Sequence, residues 1–242
     1  MNLLQEAVRY LNDPFNWTKN GGILELLAEH LRISALAVLA AMALAIPVGM
    51  LLGHTGRGGG FTVALSNVSR AVPTLALLTI FAVTPIGFGP TATTIALAVF
   101  AVPPILTNTY VGFRSVDRDV VEASRAMGFS EWQVATRAEL PLAAPLLMTG
   151  VRTAAVQVVA TATLAALVAG GGLGRIITLG FRQQDYGAVL AGAILVAALA
   201  VLTELLLAAL SWALTPGQRR LPFLQIRTPV RTADPAMAAP PL

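Results

Sequence analysis

Apolar residues run along this chain in long blocks separated by short polar stretches. A helix needs roughly 20 mostly apolar residues to cross the hydrocarbon layer of a bilayer, and inside that layer it must satisfy its backbone hydrogen bonds internally. Five segments meet that requirement: Ile33 to Leu52, Val68 to Thr84, Thr91 to Val111, Leu142 to Val168 and Tyr186 to Leu214. The second is the weakest, because Arg70, Pro73 and Pro85 shorten it. The pattern predicts an all-α, polytopic membrane protein with five transmembrane helices. Before the first span, Leu4, Val8 and Leu11 recur at helical spacing, which suits either an amphipathic helix at the membrane interface or a disordered segment. The organisation expected is an extracytoplasmic or interfacial segment over 1–29, a transmembrane domain over 30–215, and a disordered cytoplasmic tail over 216–242 rich in Pro, Arg and Ala.

Composition agrees with a lipid environment. The chain is 56% hydrophobic and 12% charged, too few polar residues to cover a water-soluble globule of 242 residues. Its net charge of +4 comes from basic residues scattered between apolar runs, which sets topology and does not build a nucleic-acid stripe. With cysteine absent and only His30 and His54 present, thiol chemistry and an ordinary zinc site are excluded. Lys and Arg concentrate in cytoplasmic loops. With the N-terminus outside, Arg57, Arg70, Arg114, Arg118, Arg125, Arg137, Arg152, Arg219, Arg220, Arg227 and Arg231 fall on the cytoplasmic side, and only Arg9, Lys19, Arg32, Arg175 and Arg182 fall opposite. The expected orientation is N-terminus outside, C-terminus inside.

Loops between membrane helices are usually short, so the charged stretch Asp117 to Pro141 needs an explanation. Asp119 with Glu122 reads as an N-cap pair opening a short helix through Met127, and Gly128 suits the left-handed position that ends it. Ser130 with Gln133 is a second capping box, starting a helix that stops at Pro141. Two capped helices around a glycine corner make a knob, with Val121, Ala123, Met127, Phe129, Trp132 and Val134 available as apolar contacts. Such a knob fits a partner's groove; a solvated connector or a pair of helices on the lipid headgroups would carry the same pattern. Pro47, Pro73, Pro103, Pro104 and Pro145 punctuate the spans, as packing bends or as hinges.

The loop resembles the EAA loop of permease subunits of binding-protein-dependent ABC importers. Glu122-Ala123-Ser124, Gly128 and Leu140-Pro141 keep that family's spacing, with Ser124 in the third position and Arg137 or Ala138 where an aliphatic residue is usual. The resemblance runs from about His30 to Pro216. Thr161 to Leu167 followed by Gly170 to Gly174 is similar to the osmoprotectant branch, importers of glycine betaine, choline, carnitine or proline. It implies that Glu122, Ala123, Ser124, Gly128, Leu140 and Pro141 couple to an ATPase subunit in whose cleft the loop inserts. It also implies a substrate-binding protein, a second permease copy or paralogue to complete a two-fold pore, and the cytoplasmic (inner) membrane of a bacterium or archaeon. A methionine-type amino-acid permease is the alternative within the superfamily, and an ion-coupled secondary transporter the alternative outside it.

No Gly-Lys-Ser/Thr sequence occurs, so the glycine run is not a P-loop; ATP and magnesium are expected on the partner, and no cofactor on this chain. The run reads instead as a tight extracellular turn. Asn108, Gln157, Thr161 and Thr163 either line a pathway or bond between helices. Glu204 lies inside the fifth span with no obvious basic partner, as a functional carboxylate or a protonated structural one. Aromatics make up only 6% of the chain, so an aromatic cage for a quaternary ammonium belongs on a separate binding protein.

Overall fold

The computed structural model describes residues 2–214, and every described regular element is helical. The tail expected over 216–242 lies outside the described residues. The N-terminal segment is folded: α1 (Leu3–Asn12) and α2 (Pro14–Thr18) are separated by Asp13, whose Oδ1 accepts the Phe15 N–H at 3.0 Å. Trp17 Nε1 donates to the Leu11 carbonyl at 2.7 Å, folding α2 back on α1. Tyr10, Leu11 and Trp17 pack onto a core cluster of Ile23, Leu26, Val159, Leu173, Ile176, Ala188 and Leu199, while Leu4 and Val8 stay exposed.

Four helical stretches among the described residues are long and apolar enough to cross a membrane: α3 (Ile23–Thr55), α6 (Pro90–Arg114), the stretch Glu131–Val168 containing α9 (Leu140–Thr161), and α11 (Tyr186–Leu214). At about 1.5 Å per residue, α3 is roughly 50 Å long and runs through residue 30 without a break. The fifth expected segment, Val68 to Thr84, is not one helix. It is divided between α4 (Gly59–Ala71) and α5 (Thr74–Ala82), because Pro73 cannot donate a backbone hydrogen bond and turns extended, with ψ 127°. Pro47, Pro103 and Pro104 do not break their helices.

Small residues set the packing of α3, α6 and α9. Ala37, Ala41 and Ala45 meet Ala96, Leu97, Ala101 and Ile105, with Leu147, Ala154 and Val158 closing the cluster. Contacts fix the directions: Gly49 lies against Thr109 and Gly53 against Phe113, so α3 and α6 run parallel; Gly112 lies against Ala143 and Gly150 against Asn108, so α9 runs antiparallel to them. Arg152 pairs with Glu204, and Val159, further along α9, shares a core cluster with Leu199, earlier on α11, so α11 runs antiparallel to α9.

The glycine run is a turn, as expected. Glu29 accepts the Gly172 N–H at 2.9 Å, and His30 Nδ1 accepts the Leu173 N–H at 3.3 Å while its Nε2 donates to the Val159 carbonyl at 2.9 Å. A ring that accepts at one nitrogen and donates at the other is neutral, so His30 is a buried staple joining α3, α9 and the start of α10 (Gly174–Gln183).

Candidate functional site

Two features stand out: a polar cavity between the long helices, and the knob at one end of them. The cavity has a volume of about 480 Å³ and is lined by Ser66 and Ser69 of α4, the Val72–Thr74 corner, Phe100, Pro104, Thr107 and Asn108 of α6, and Thr153 and Gln157 of α9. Ser66 and Ser69 stand three apart on α4 and Thr153 and Gln157 four apart on α9, so each of these helices turns one polar stripe to the same space, and α6 adds the adjacent Thr107 and Asn108. Asn108 Nδ2 donates to the Pro104 carbonyl at 2.8 Å, and Thr107 Oγ1 is buried without a partner among the described residues. Gly150 lets α9 approach this stretch, because a Cβ there would lie 2.6 Å from Asn108 Cβ and 2.8 Å from the Pro104 carbonyl oxygen. Among the described residues, none that lines the cavity is charged. Hydroxyl and amide dipoles of this kind can solvate a polar or charged solute in passing.

Of the expected pathway residues, the structure brings Asn108 and Gln157 to the cavity and leaves the others out. Thr161 Oγ1 donates within its helix to the Gln157 carbonyl at 2.7 Å. Thr163 has an unpartnered Oγ1 in the 3₁₀ turn Ala162–Val168 that follows α9. Glu204 has a partner after all: Arg152 Nε lies 3.3 Å from Glu204 Oε1, an ion pair linking α9 to α11. Arg152 lies inside α9 and not in a loop, so it leaves the cytoplasmic count. Its sequence distance from Glu204 hid the pairing. Ser66, Ser69, Thr107 and Thr153 were missed, although their helical spacing was a usable signal.

The knob is built by α7 (Arg118–Ala126) and α8 (Glu131–Gln133). The N-cap of α7 is Asp117, whose Oδ1 accepts the Asp119 N–H at 3.0 Å, and not Asp119. Glu122 and Ala123 are exposed, whereas Ser124 points inward and donates to the Val120 carbonyl at 2.8 Å. Gly128 takes φ +85° at the corner, as expected. Both halves of the Ser130–Gln133 capping box are present. Val121 and Val134 are not free contacts; they join Val116 and Phe129 in a small core of the knob's own. Met127 and Trp132 remain 68% and 73% exposed. Arg125 donates two hydrogen bonds to Glu131, at 3.0 and 2.9 Å, tying α7 to α8; the same contact raises the arginine's pKa.

Pro141 does not stop the second helix. Residues Val134–Glu139 form a π-turn that leads into α9 at Leu140, and Pro141 occupies the first turn of α9, where its missing N–H is tolerated. The wider turn relieves the clash that a proline ring makes with the preceding turn of a regular α-helix. Leu140 packs with Phe113, Ala135, Ala143 and Met50, so knob and span share one continuous helical path.

Comparisons with known proteins give one consistent picture. Residues 45–215 match a family described as "Binding-protein-dependent transport system inner membrane component". The chain is 35% identical over 208 residues to the choline transport system permease protein OpuBB of Bacillus subtilis, covering 86% of this chain and 95% of that one. It is 39% identical over 188 residues to the carnitine transport permease protein OpuCB of Listeria monocytogenes, covering 78% and 86%. An inward-facing structure of the MetNI methionine ABC transporter aligns with a TM-score of 0.69 at 24% identity, covering 80% of this chain and 96% of that one. The last likeness is one of fold.

Proposed function

The chain belongs to the family of binding-protein-dependent transport system inner membrane components, and on that premise we propose that it forms the translocation pathway of an ABC importer for a compatible solute such as glycine betaine, choline, carnitine or proline. It is an integral membrane protein, and ATP hydrolysis belongs to a separate subunit. The observation that carries this reading is the knob. Its corner at Gly128, exposed Glu122 and Ala123, and unburied Met127 and Trp132 present a rigid two-helix surface joined without interruption to a membrane span. In this reading Glu122, Ala123 and Gly128 meet the ATPase, Ser124 and Leu140 hold the knob's shape, and Pro141 sets the π-turn.

The cavity between α4, α6 and α9 is the pathway, with Asn108 and Gln157 on its wall. A second permease copy or a paralogue closes its open side; Bacillus subtilis has both OpuBB and OpuBD choline permease proteins, which favours pairing of that kind. The fifth crossing is made by α4 and α5 together. Because α3 and α6 run parallel, residues 56–89 must carry the chain back from the end of one to the start of the other. That odd number puts the N-terminal segment 1–29 and the tail on opposite sides of the inner membrane. The excess of arginine at the knob's end makes that end cytoplasmic, and the Gly170–Gly174 turn then faces the substrate-binding protein.

The test is copurification and uptake in the assembled transporter. Gly128→Pro and Glu122→Lys are expected to release the ATPase and abolish uptake while the permease stays in the membrane. A Glu122→Lys complex that copurifies with its ATPase and transports normally refutes the docking role.

A further inference from the structure

The last turn of α3 carries a histidine held between two carboxylates. His54 Nδ1 lies 2.5 Å from Glu139 Oε2, and His54 Nε2 lies 3.0 Å from Glu131 Oε2. Glu131 opens α8 and also receives Arg125; Glu139 sits in the π-turn and is only 2% exposed. Ionised carboxylates only accept hydrogen bonds, and an imidazole donates from both nitrogens only when it carries its second proton. A neutral ring here would turn one lone pair towards a carboxylate oxygen. The two carboxylates stand on opposite sides of the ring, so no single metal ion could be shared by all three, and no metal-holding group of His, Cys, Asp or Glu occurs among the described residues.

Resting on the reading of the knob as the ATPase-docking element, we propose that His54 is a positioning residue that latches the knob to α3 through these two carboxylates, and does so only as the imidazolium. The knob then has two connections to the spans. One is the continuous helical path from Glu131 into α9. The other is His54, which carries displacement of α8 directly to α3. An apolar cleft of about 350 Å³ bounded by Pro47, Met50, Leu51, Trp132 and Ala135 beside the latch shows that side-chain packing alone does not fill this joint.

The charges around the latch are accounted for on every neighbouring element. Arg125 of α7 pairs with Glu131, and Glu122 of the same helix lies near Arg125. The guanidinium groups of Arg114 at the end of α6 and Arg118 of α7 crowd Gly56, two residues beyond His54. Arg57 and Arg137 are exposed, and Tyr110 of α6 places its hydroxyl at Gly59. The arginines oppose a further positive charge, so the two carboxylates are what hold it there. A neutral ring therefore turns a lone pair on one of the two carboxylates and gives up the ion pairing with both. A pH series therefore probes the latch, which is complete while the ring carries both protons and weaker once it has lost one.

The experiment measures glycine betaine uptake per ATP hydrolysed by the complete transporter in proteoliposomes, from about pH 6 to about pH 9. The wild-type ratio is expected to fall several-fold on the alkaline side. Glu139→Gln is expected to keep the ratio flat, because its amide N–H can donate to a neutral Nδ1 while Nε2–H still donates to Glu131. His54→Ala is expected to hold the ratio low at every pH with the ATPase still copurifying. A wild-type profile in His54→Ala, or an alkaline fall in Glu139→Gln that tracks wild type, overturns the proposal. If His54→Ala fails to assemble, the Glu139→Gln profile decides alone. Normal behaviour of both latch variants alongside an uncoupled Glu122→Lys removes the latch and leaves the docking surface; a coupled Glu122→Lys removes the docking surface itself.

Discussion

Arg152 and Glu204 offer the sharpest test of how this bundle is held together. Glu204 lies about 27 Å along α11 from Tyr186 and about 15 Å short of Leu214, well inside the span. Arg152 Nε meets it at 3.3 Å, and the two side chains are 35% and 44% exposed on the protomer. An unpaired charge at the centre of a membrane helix costs about 2.5–3.5 kcal/mol. Removing either partner strands the other, so Arg152→Leu and Glu204→Leu should each destabilise by about 2–3 kcal/mol, roughly a 30- to 150-fold change in the folding equilibrium. Removing both strands nothing, and the double variant should lose less than about 1 kcal/mol, giving a coupling energy of about 3 kcal/mol or more. Glu204→Gln belongs with the singles and should lower membrane abundance. The assay is reversible unfolding in mixed micelles across the four-member cycle, with abundance in membranes measured alongside. Single effects that add to within about 0.5 kcal/mol would refute the pairing and return Glu204 to the status of an isolated carboxylate.

Gly150→Ala would put a methyl group 2.6 Å from Asn108 Cβ; overpacking of this kind costs about 1–3 kcal/mol, and separation of α6 from α9 should cut uptake while the ATPase still copurifies. Asp185 Oδ1 accepts the Ala188 N–H at 2.9 Å in the first turn of α11, and Asp185→Ala should cost about 1 kcal/mol as a lost cap. The same charge, after burial, raises the pKa of the Tyr10 phenol, so a tyrosine absorbance titration of Asp185→Ala should show one ionisation moved to lower pH; an unmoved titration would separate Asp185 from α1.

The membrane helices were legible because hydropathy depends on length and composition, which are local. Three spans were found nearly to their ends, and Ile33 was misplaced as a start because α3 begins ten residues earlier, outside the apolar block, at Gly22 and Ile23. Capping chemistry is also local, and it located Gly128 and the Ser130–Gln133 box. It failed at Asp119, since an aspartate two residues earlier competes for the same N–H. Pro141 misled because a proline's effect on a helix depends on the preceding turn, and a π-turn can absorb it. What the sequence could not disclose were pairings across helices: Arg152 with Glu204, His54 with two glutamates, His30 with the glycine turn. Each joins residues 52 to 143 positions apart, and no periodicity encodes such a distance.

These long-range pairings sit at different heights along α9 and the residues joined to it, and that distribution bears on how motion would travel. At the knob end, the helical path from Glu131 runs through the π-turn, past Leu140 and Gly150, to Thr153 and Gln157 on the cavity wall. Over the 26 residues from Glu131 to Gln157 the path spans about 39 Å at 1.5 Å per residue. At the far end, His30 fixes Val159 and the Leu173 amide to α3, and Glu29 fixes the glycine turn. The path is thus pinned to α3 at both ends and to α11 near its middle. A helix pinned at His30 and driven at the knob would tilt instead of sliding, with displacement growing from the His30 end towards the knob. Thr153 and Gln157 on the cavity wall lie between those two ends and are carried along by the tilt.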